Sequence, residues 1–438
     1  MKICGIKLTH DGAVSLIDSG KLIFCVEMEK IGNNPRFTEI KHLDTVRDLL
    51  ADHGYSIEDI DLFAIDGWGG TDQDELAIQP RLEIGDDHNF LSVGTHAGDI
   101  KLRVAPYREK TLRDSLLDEW SFDDLMISGN KVPYKSYLHA TGHFMSTYAS
   151  SPFAANNEST YMLIWDGGMF PRLYFKGEGS FRLENLGPLF LLIGNIYTIF
   201  SQHFGPFKVN GNFAKDSLSI AGKVMAYIAH GTLQKELFKV FDEIYDTCFD
   251  KPMGFANIFA NEFKKRIQGR EYKDEDILLT FHCYLEQMLI AKLRKKIQRH
   301  GSGSKNLCMA GGCALNIKWN SAIRSSGIFD KVYVSPFPND SGSALGAAAT
   351  AMVLHDNKTA LDWSVYSGPA LTDHGDIDGW QKRACSVKEL AELLYHENEP
   401  VVFLNGKAEL GPRALGNRSI IAPVGSPHMK KVLNLVKR

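Results

Sequence analysis

Three short apolar runs, at 3–6, 13–17 and 22–26, open the chain in ICGIKLTHDGAVSLIDSGKLIFCVEME. Turn residues separate them, and Asp18-Ser19-Gly20 is a hairpin signal. The pattern predicts strand, tight loop, strand, turn, strand. Helical spacing follows at 41–54, and a strand returns at 61–65. The plan recurs further on. An apolar strand at 160–165 ends in Asp166-Gly167-Gly168, a second covers 173–175, and Gly177-Glu178-Gly179 turns into a third. Two such openings predict two similar α/β lobes.

A helical middle occupies roughly 214–300. Within it, 279–300 carries apolar residues near helical spacing and a basic last turn, which suits the helix dipole. A strand at 305–309 runs into AGGCALN. Another at 332–335 leads to PFPNDSGS and an alanine-rich helix, with Asn339 or Asp340 near its N-cap. Residues 357–386 are turn-rich and charged without strong periodicity, and read as a linker. A new unit starts near Ser386: a helix through Tyr395, a strand at 401–404, then ELGPRALGNRSI.

Composition narrows the class. At 438 residues the chain is long enough for two or three domains, and 44% hydrophobic with 23% charged is ordinary for a globular protein. A net charge of -4 argues against a broad nucleic-acid surface. The cysteines number seven, an odd count without recurring pairs, which fits reduced thiols. Cys308 and Cys313 have no second pair to complete a metal site. The most apolar stretch, 186–200, is broken by Gly187, Pro188, Gly194 and Asn195, so no membrane span is expected. His10 and Asp11 interrupt any signal-peptide core, and a cytoplasmic location is expected.

Five constellations carry chemistry. His139 and His143 stand at i and i+4 on one helical face, where two rings can converge on a metal; alone they also read as unrelated helical histidines. Asp166 ends a strand, where a carboxylate faces the cleft of an α/β sheet, and Gly167 and Gly168 allow close approach of a phosphate. It reads equally as a turn residue. Gly311 and Gly312, through Asn316, form a strand-to-helix turn or a glycine pair lying against adenine or ribose. Asp340 is an N-cap, or the fourth member of a metal set with His139, His143 and Asp166. Two imidazoles and two carboxylates suit Zn²⁺, Mn²⁺ or Fe²⁺ better than Mg²⁺. Lys407, Arg413, Arg418 and Ser419 surround a Gly-rich turn suited to an anion. Ala221-Gly222-Lys223 lacks the upstream glycine of a P-loop, which leaves Lys223 as a lone candidate for a phosphate.

Together these segments resemble the NodU/CmcH family of O-carbamoyltransferases, which modify nodulation factors and antibiotics. GPRALGNRSI (411–420) is the most specific match. AGGCALN (310–316), NDSGSALGAAA (339–349), HATGHFMSTYASSPF (139–153), THDGAVSLIDSGKL (9–22) and AGKVMA (221–226) are similar to further family blocks. The resemblance implies an actin-like, two-lobed domain of the ASKHA ATPase class over 1–356. A linker at 357–386 and the start of a YrdC-like α/β domain at 387–438, incomplete where the sequence stops, would follow. It implies that the C-terminal domain makes carbamoyl adenylate from carbamoyl phosphate and ATP. The N-terminal domain would pass the carbamoyl group to a hydroxyl of a small molecule.

The resemblance also assigns residues. The metal positions are His139, His143, Asp166 and Asp340, with iron favoured and zinc or manganese as alternatives. Gly12, Gly167, Gly168, Gly311, Gly312, Asn316 and Asp340 would meet the nucleotide. Lys407, Arg413, Arg418 and Ser419 would meet carbamoyl phosphate, and His10, Asp11, His139 and Lys223 would serve the transfer. Ala140 stands where the family has another histidine. Two other readings stay open: a threonylcarbamoyl-tRNA enzyme and a non-catalytic nucleotide-binding module. Neither nucleic acid nor membrane is an expected partner, and a homodimer is allowed. Residues 67–135 match no readable motif and are expected to shape the acceptor pocket.

Overall fold

The computed structural model describes the chain except residues 32–36, 70–87, 110, 111, 113, 114, 180, 210–216, 248–254, 373, 374, 376, 377, 382, 437 and 438. The first lobe begins with β1 (Lys2–Lys7), β2 (Ala13–Asp18) and β3 (Lys21–Glu27), which pair antiparallel. The turn between β2 and β3 places Ser19 and Gly20 at φ 53° and 88°, as a two-residue hairpin loop demands. Helix α1 (Asp44–Asp52) leads to β4 (Leu62–Asp66), parallel to β1. A separate hairpin, β5 (Asn89–Thr95) and β6 (Gly98–Val104), precedes β7 (Glu119–Ile127) and β8 (Asn130–Tyr137). The sheet order is β3-β2-β1-β4-β8-β7, with β8 parallel to β4.

The second lobe repeats the plan. β9 (Thr160–Ile164), β10 (Arg172–Lys176) and β11 (Leu183–Pro188) are antiparallel neighbours. β12 (Asn306–Ala310) and β13 (Lys331–Val334) add in parallel, giving β11-β10-β9-β12-β13. The two similar lobes expected from the sequence are therefore present, in a mixed α/β fold. The strands between 89 and 137 are an addition to the sequence reading. Their signal was the Ser128-Gly129 turn, at φ 53° and 81°, between two alternating segments.

Two helices fill the space between the sheets. α2 (His139–Ala149) packs on β9 and β12, and α10 (Ser343–His355) packs on β1, β2, β4 and α2. Every residue of α2 is buried, and so is α10 up to Val353, so neither helix presents a polar face. Alanine and glycine make this crowding feasible. A Cβ on Gly346 would lie 1.9 Å from the Gly142 carbonyl oxygen, and one on Gly5 would lie 2.0 Å from that of Ala344. Backbone thus meets backbone where α10 crosses α2 and β1.

α3 (Pro152–Ala155) is a single turn beside α2, in the same inter-sheet core. Six helices cover the outer face of the second sheet: α4 (Ile196–Ser201), α5 (Ser217–Tyr227), α6 (Leu237–Thr247), α7 (Phe255–Arg266), α8 (Asp274–His300) and α9 (Ile317–Ser325). They enclose an aromatic core around Phe200, Phe241, Phe259, Phe263 and Phe281. α8 contains the predicted helix and stops at Gly301, in the left-handed region at φ 67°.

Part of the expected linker lies against the first lobe. The amides of Leu22 and Cys25 bond to the carbonyls of Asp362 and Ser367 at 2.8 Å, and that of Leu361 bonds to Ala149 at 2.9 Å. α11 (Val387–Glu397) starts with a capping box between Ser386 and Glu389. β14 (Val401–Leu404) and β15 (Arg418–Ile421) form an antiparallel pair, followed by α12 (Pro427–Val436). Among the described residues no helix is long and apolar enough to cross a membrane.

Candidate metal centre

Chemistry gathers at the C-terminal ends of the parallel strands, where open α/β sheets place their ligands. Lys7 ends β1 and Asp66 ends β4. His139 follows β8 by two residues, and Asp166 follows β9 by two. Asp340 lies in the turn that leads into α10. The helix itself starts at Ser343 behind Gly342, so Asp340 does not cap it; its carboxylate turns into the cluster.

His139, His143, Asp166 and Asp340 are all buried, and each offers a ligand atom within 4.8 Å of the others. His143 Nε2 lies 3.6 Å from Asp166 Oδ1 and 3.5 Å from Asp340 Oδ1. His139 Nε2 lies 3.5 Å from Asp340 Oδ2 and 4.0 Å from Asp166 Oδ2. His139 Nε2, His143 Nε2 and Asp340 Oδ2 are buried with no hydrogen-bond partner. Buried polar atoms are rarely left so, and three of them converging is the arrangement a cation resolves. The donor set fits a nitrogen- and oxygen-liking transition ion.

Surrounding groups fix these ligands. Asp66 Oδ2 accepts from His139 Nδ1 at 2.7 Å, which sets the tautomer that leaves Nε2 free. The Gly312 amide donates to Asp166 Oδ1 at 2.6 Å, and the Tyr107 hydroxyl donates to Asp166 Oδ2. Burial would raise the Asp166 carboxyl, as would Asp340 beside it, but His143 and His139 outweigh both and hold it low. Burial likewise opposes ionisation of Asp340, and Lys7 with the histidines holds it well below the usual range. Burial also opposes charging of His143, yet Asp166 and Asp340 push its pKa up to about 10. The carboxylates are thus ready ligands.

The other expected residues divide. His10 sits at the rim, bonded to Asp11 at 2.9 Å and 3.6 Å from Asp340 Oδ2. The amide of Gly12 bonds to the Thr38 carbonyl at 2.8 Å, and a Cβ there would stand 2.8 Å from the Ile40 nitrogen, so close packing alone already calls for glycine at this position. Gly167 lies against the Asn195 side chain. Gly168 follows it in the same turn. Position 311 requires glycine on two counts: its φ is 85°, and a Cβ would stand 2.4 Å from the Trp165 carbonyl oxygen. Asn316 caps α9, accepting from the amides of Lys318 and Trp319 at 3.2 Å, while its Nδ2 is buried without a partner. A cavity of about 420 Å³ opens past this cap, lined by His282, Cys283 and Glu286 of α8 and Ile317, Lys318 and Ser321 of α9. Lys223 is exposed on α5, outside the buried cluster.

In the arginine-rich loop, the anion is internal. Glu409 Oε1 accepts the amides of Leu415 and Asn417 at 2.7 Å and of Arg418 at 3.0 Å. The Arg418 guanidinium donates to the carbonyls of Asn405, Gly406, Asn417 and Pro369, so it braces the loop. Arg413 is exposed, Lys407 likewise, and Ser419 lies on β15. The loop is anchored to the first lobe: Glu27 accepts from the Gly411 amide at 2.7 Å, and Lys30 donates to the carbonyls of Glu409 and Gly411. Sequence reasoning missed Lys7, Asp66, Trp68 and Tyr107, all of which contact the cluster or its immediate partners.

Fold and site together define a two-lobed α/β protein with a buried His–Asp centre at its strand ends. The chain belongs to the carbamoyltransferase family. The family's Carbamoyltransferase N-terminus matches residues 2–349, and its Carbamoyltransferase C-terminus matches 391–438. It is a carbamoyltransferase. Nodulation protein U of Rhizobium tropici is 45% identical over 454 residues, covering 100% of this chain and 75% of that protein. The 3'-hydroxymethylcephem-O-carbamoyltransferase of Amycolatopsis lactamdurans is 28% identical over 446 residues, covering 100% and 76%. Among solved structures, the activator of the 2-hydroxyisocaproyl-CoA dehydratase from Clostridium difficile with bound ADPNP aligns with a TM-score of 0.41 at 12% identity. That alignment covers 82% of this chain and 96% of the other, and the likeness is too low to bear on this chain's ligands.

Proposed function

We propose that this carbamoyltransferase moves a carbamoyl group from carbamoyl phosphate, through a carbamoyl adenylate made with ATP, to a hydroxyl of a small molecule. The observation that carries the reading is the convergence of His139, His143, Asp166 and Asp340 in a chain of this family. These four would hold a divalent ion, with iron favoured and zinc or manganese as alternatives. When bound, the ion supplies Lewis acidity toward the carbamoyl carbonyl. The protein's own part is orientation. Asp66 fixes His139, while Tyr107 and Gly312 fix Asp166, so the ligands do not reorganise during transfer. His10 and Asp11, at the rim, orient the acceptor.

The segment 311–321 supports a nucleotide lying along it. Gly312 touches Asp166 at one end, and Ile317, Lys318 and Ser321 line the 420 Å³ cavity at the other. Phosphates would rest by Gly167, Gly168 and the cluster, with the adenosine in the cavity. We assign 1–356 to an actin-like transfer domain, 357–386 to a connection, and 387–438 to YrdC-like donor-activating structure. There Lys407, Arg413 and Ser419 would meet carbamoyl phosphate on a loop held by Arg418. The name of the cephem relative, a hydroxymethyl O-carbamoyltransferase, supports a small hydroxylated acceptor.

The test incubates the protein with ATP, labelled carbamoyl phosphate and a panel of hydroxylated metabolites. Label should enter one class of hydroxyl compound with release of pyrophosphate, and His139→Ala should lose bound metal and transfer together. Label on tRNA in place of small molecules would point to the threonylcarbamoyl-tRNA reading. ATP binding without pyrophosphate release would point to a non-catalytic module.

A further inference from the structure

Lys7 ends the buried strand β1 and is 1% exposed. A lysine is seldom taken out of water this completely unless its charge is matched. Its ammonium lies 3.2 Å from Asp66 Oδ2 and 3.1 Å from Asp340 Oδ2, as ion pairs rather than aligned hydrogen bonds. The Trp68 ring covers it, with the centroid 3.8 Å away. Trp68 also stands edge-on to His10 at 5.0 Å and to His139 at 4.9 Å. The lysine is therefore sealed beside the cluster, astride one ligand carboxylate and the carboxylate that orients His139.

The charges can be counted. Asp66, Asp166 and Asp340 bring three negative charges to the two histidines. Asp11, farther out, is held by His10. Among the described residues, Lys7 is the only lysine or arginine paired with those three carboxylates. With both imidazoles neutral, as ligation requires, two net negative charges remain, which one divalent ion neutralises. A trivalent ion would leave a buried positive charge, which is costly in a medium that solvates charge poorly. Without Lys7 the count becomes three, and a trivalent ion is the one that balances it.

We propose that Lys7 sets the charge preference of this centre, holding it for a divalent ion; the inference rests on the metal reading above. Lys7 touches no reacting atom in this role. It acts through Asp340 and Asp66, and it determines which ion the same four ligands retain.

Iron is the useful probe, because one element offers both charges. The reduction potential of bound iron reports the ratio of its affinities for Fe³⁺ and Fe²⁺. The full chain is loaded anaerobically with Fe²⁺ and titrated spectroelectrochemically. Lys7→Met should lower the potential by about 59 mV or more, a tenfold shift toward Fe³⁺. Lys7→Arg, which keeps the charge, should stay near the native value. An unmoved potential in iron-loaded Lys7→Met overturns the role of Lys7 alone. Should that variant not fold, the double variant Lys7→Met/Asp66→Asn restores a count of two. It is expected near the native potential, and a tenfold or larger drop in it would show that preference does not follow charge. Failure of the native chain to bind iron, zinc or manganese overturns the metal reading, and the Lys7 inference with it.

Discussion

Asp66 holds His139 by its Nδ1 at 2.7 Å, with both side chains removed from solvent. The contact fixes the ring so that Nε2 faces Asp166 and Asp340. Carboxylates behind a ligating histidine set its tautomer and raise its basicity, and their loss lowers metal affinity about 10–100-fold. Asp66→Ala should therefore bind its ion more weakly by that factor, while the four ligands are retained. Metal content after a graded chelator challenge measures it. Retention equal to the native protein would remove Asp66 from the centre.

Gly346→Ala is expected to harm both stability and site. Its Cβ would stand 1.9 Å from the Gly142 carbonyl oxygen, which is backbone and cannot rotate away. Overpacking of a filled core typically costs about 1–3 kcal/mol, sometimes more. Here α10 must shift from α2, and those helices carry Asp340's turn and both histidines. Urea unfolding should show a lower midpoint, accompanied by reduced metal content. A variant with the native midpoint would mean that α2 and α10 are less tightly joined than described.

Much of this centre could be read from sequence because its pieces announce themselves locally. His139 and His143 are one helical turn apart, and Asp166 follows an apolar strand and precedes two glycines. The same pattern stands at LFAIDG, where Asp66 ends an apolar strand before Gly67, so its carboxylate is legible for the identical physical reason. Lys7 gave less signal. A lysine closing a strand usually reaches solvent, and only the later placement of Asp66 and Asp340 around it makes it a buried ion pair. The roles of Arg418 and Gly12 were equally invisible, since both depend on carbonyls distant in sequence or on loop geometry. The hairpins that open each lobe, by contrast, followed from turn dipeptides and apolar runs, whereas β5–β6 and β7–β8 did not.

Acid should destabilise the fold through His282. It is 2% exposed on α8, stacked on Trp319 and near the Tyr197 hydroxyl. Burial, with Lys318 nearby, lowers its pKa from 6.5 to about 4. Above the unfolded value both states are neutral and pH has no effect through this group. As pH falls below about 6.5, the unfolded chain takes up the proton first, and stability declines until the folded value near 4 is passed. The full loss is about 3 kcal/mol. His282→Gln should flatten the stability curve over this window, as read from denaturant midpoints at successive pH values. An equally steep curve would place the acid sensitivity elsewhere.

The arginine-rich loop should depend on Glu409 more than on any exposed arginine. One carboxylate oxygen gathers the amides of Leu415, Asn417 and Arg418, while the residue's own carbonyl is gripped by Lys30 of the first lobe. Hydrogen bonds to a charged group contribute about 1.5–3 kcal/mol each, so loss of the carboxylate frees three amides together. In Glu409→Ala, hydrogen exchange at Leu415, Asn417 and Arg418 should quicken by about tenfold or more, equivalent to about 1.4 kcal/mol of local stability. Metal content should be unchanged, because the cluster lies on other elements. If the loop receives carbamoyl phosphate, KM for that donor should rise while binding of the acceptor holds. Faster exchange with an unaltered donor KM would leave Glu409 as a purely structural anchor and move the donor site away from Lys407 and Arg413.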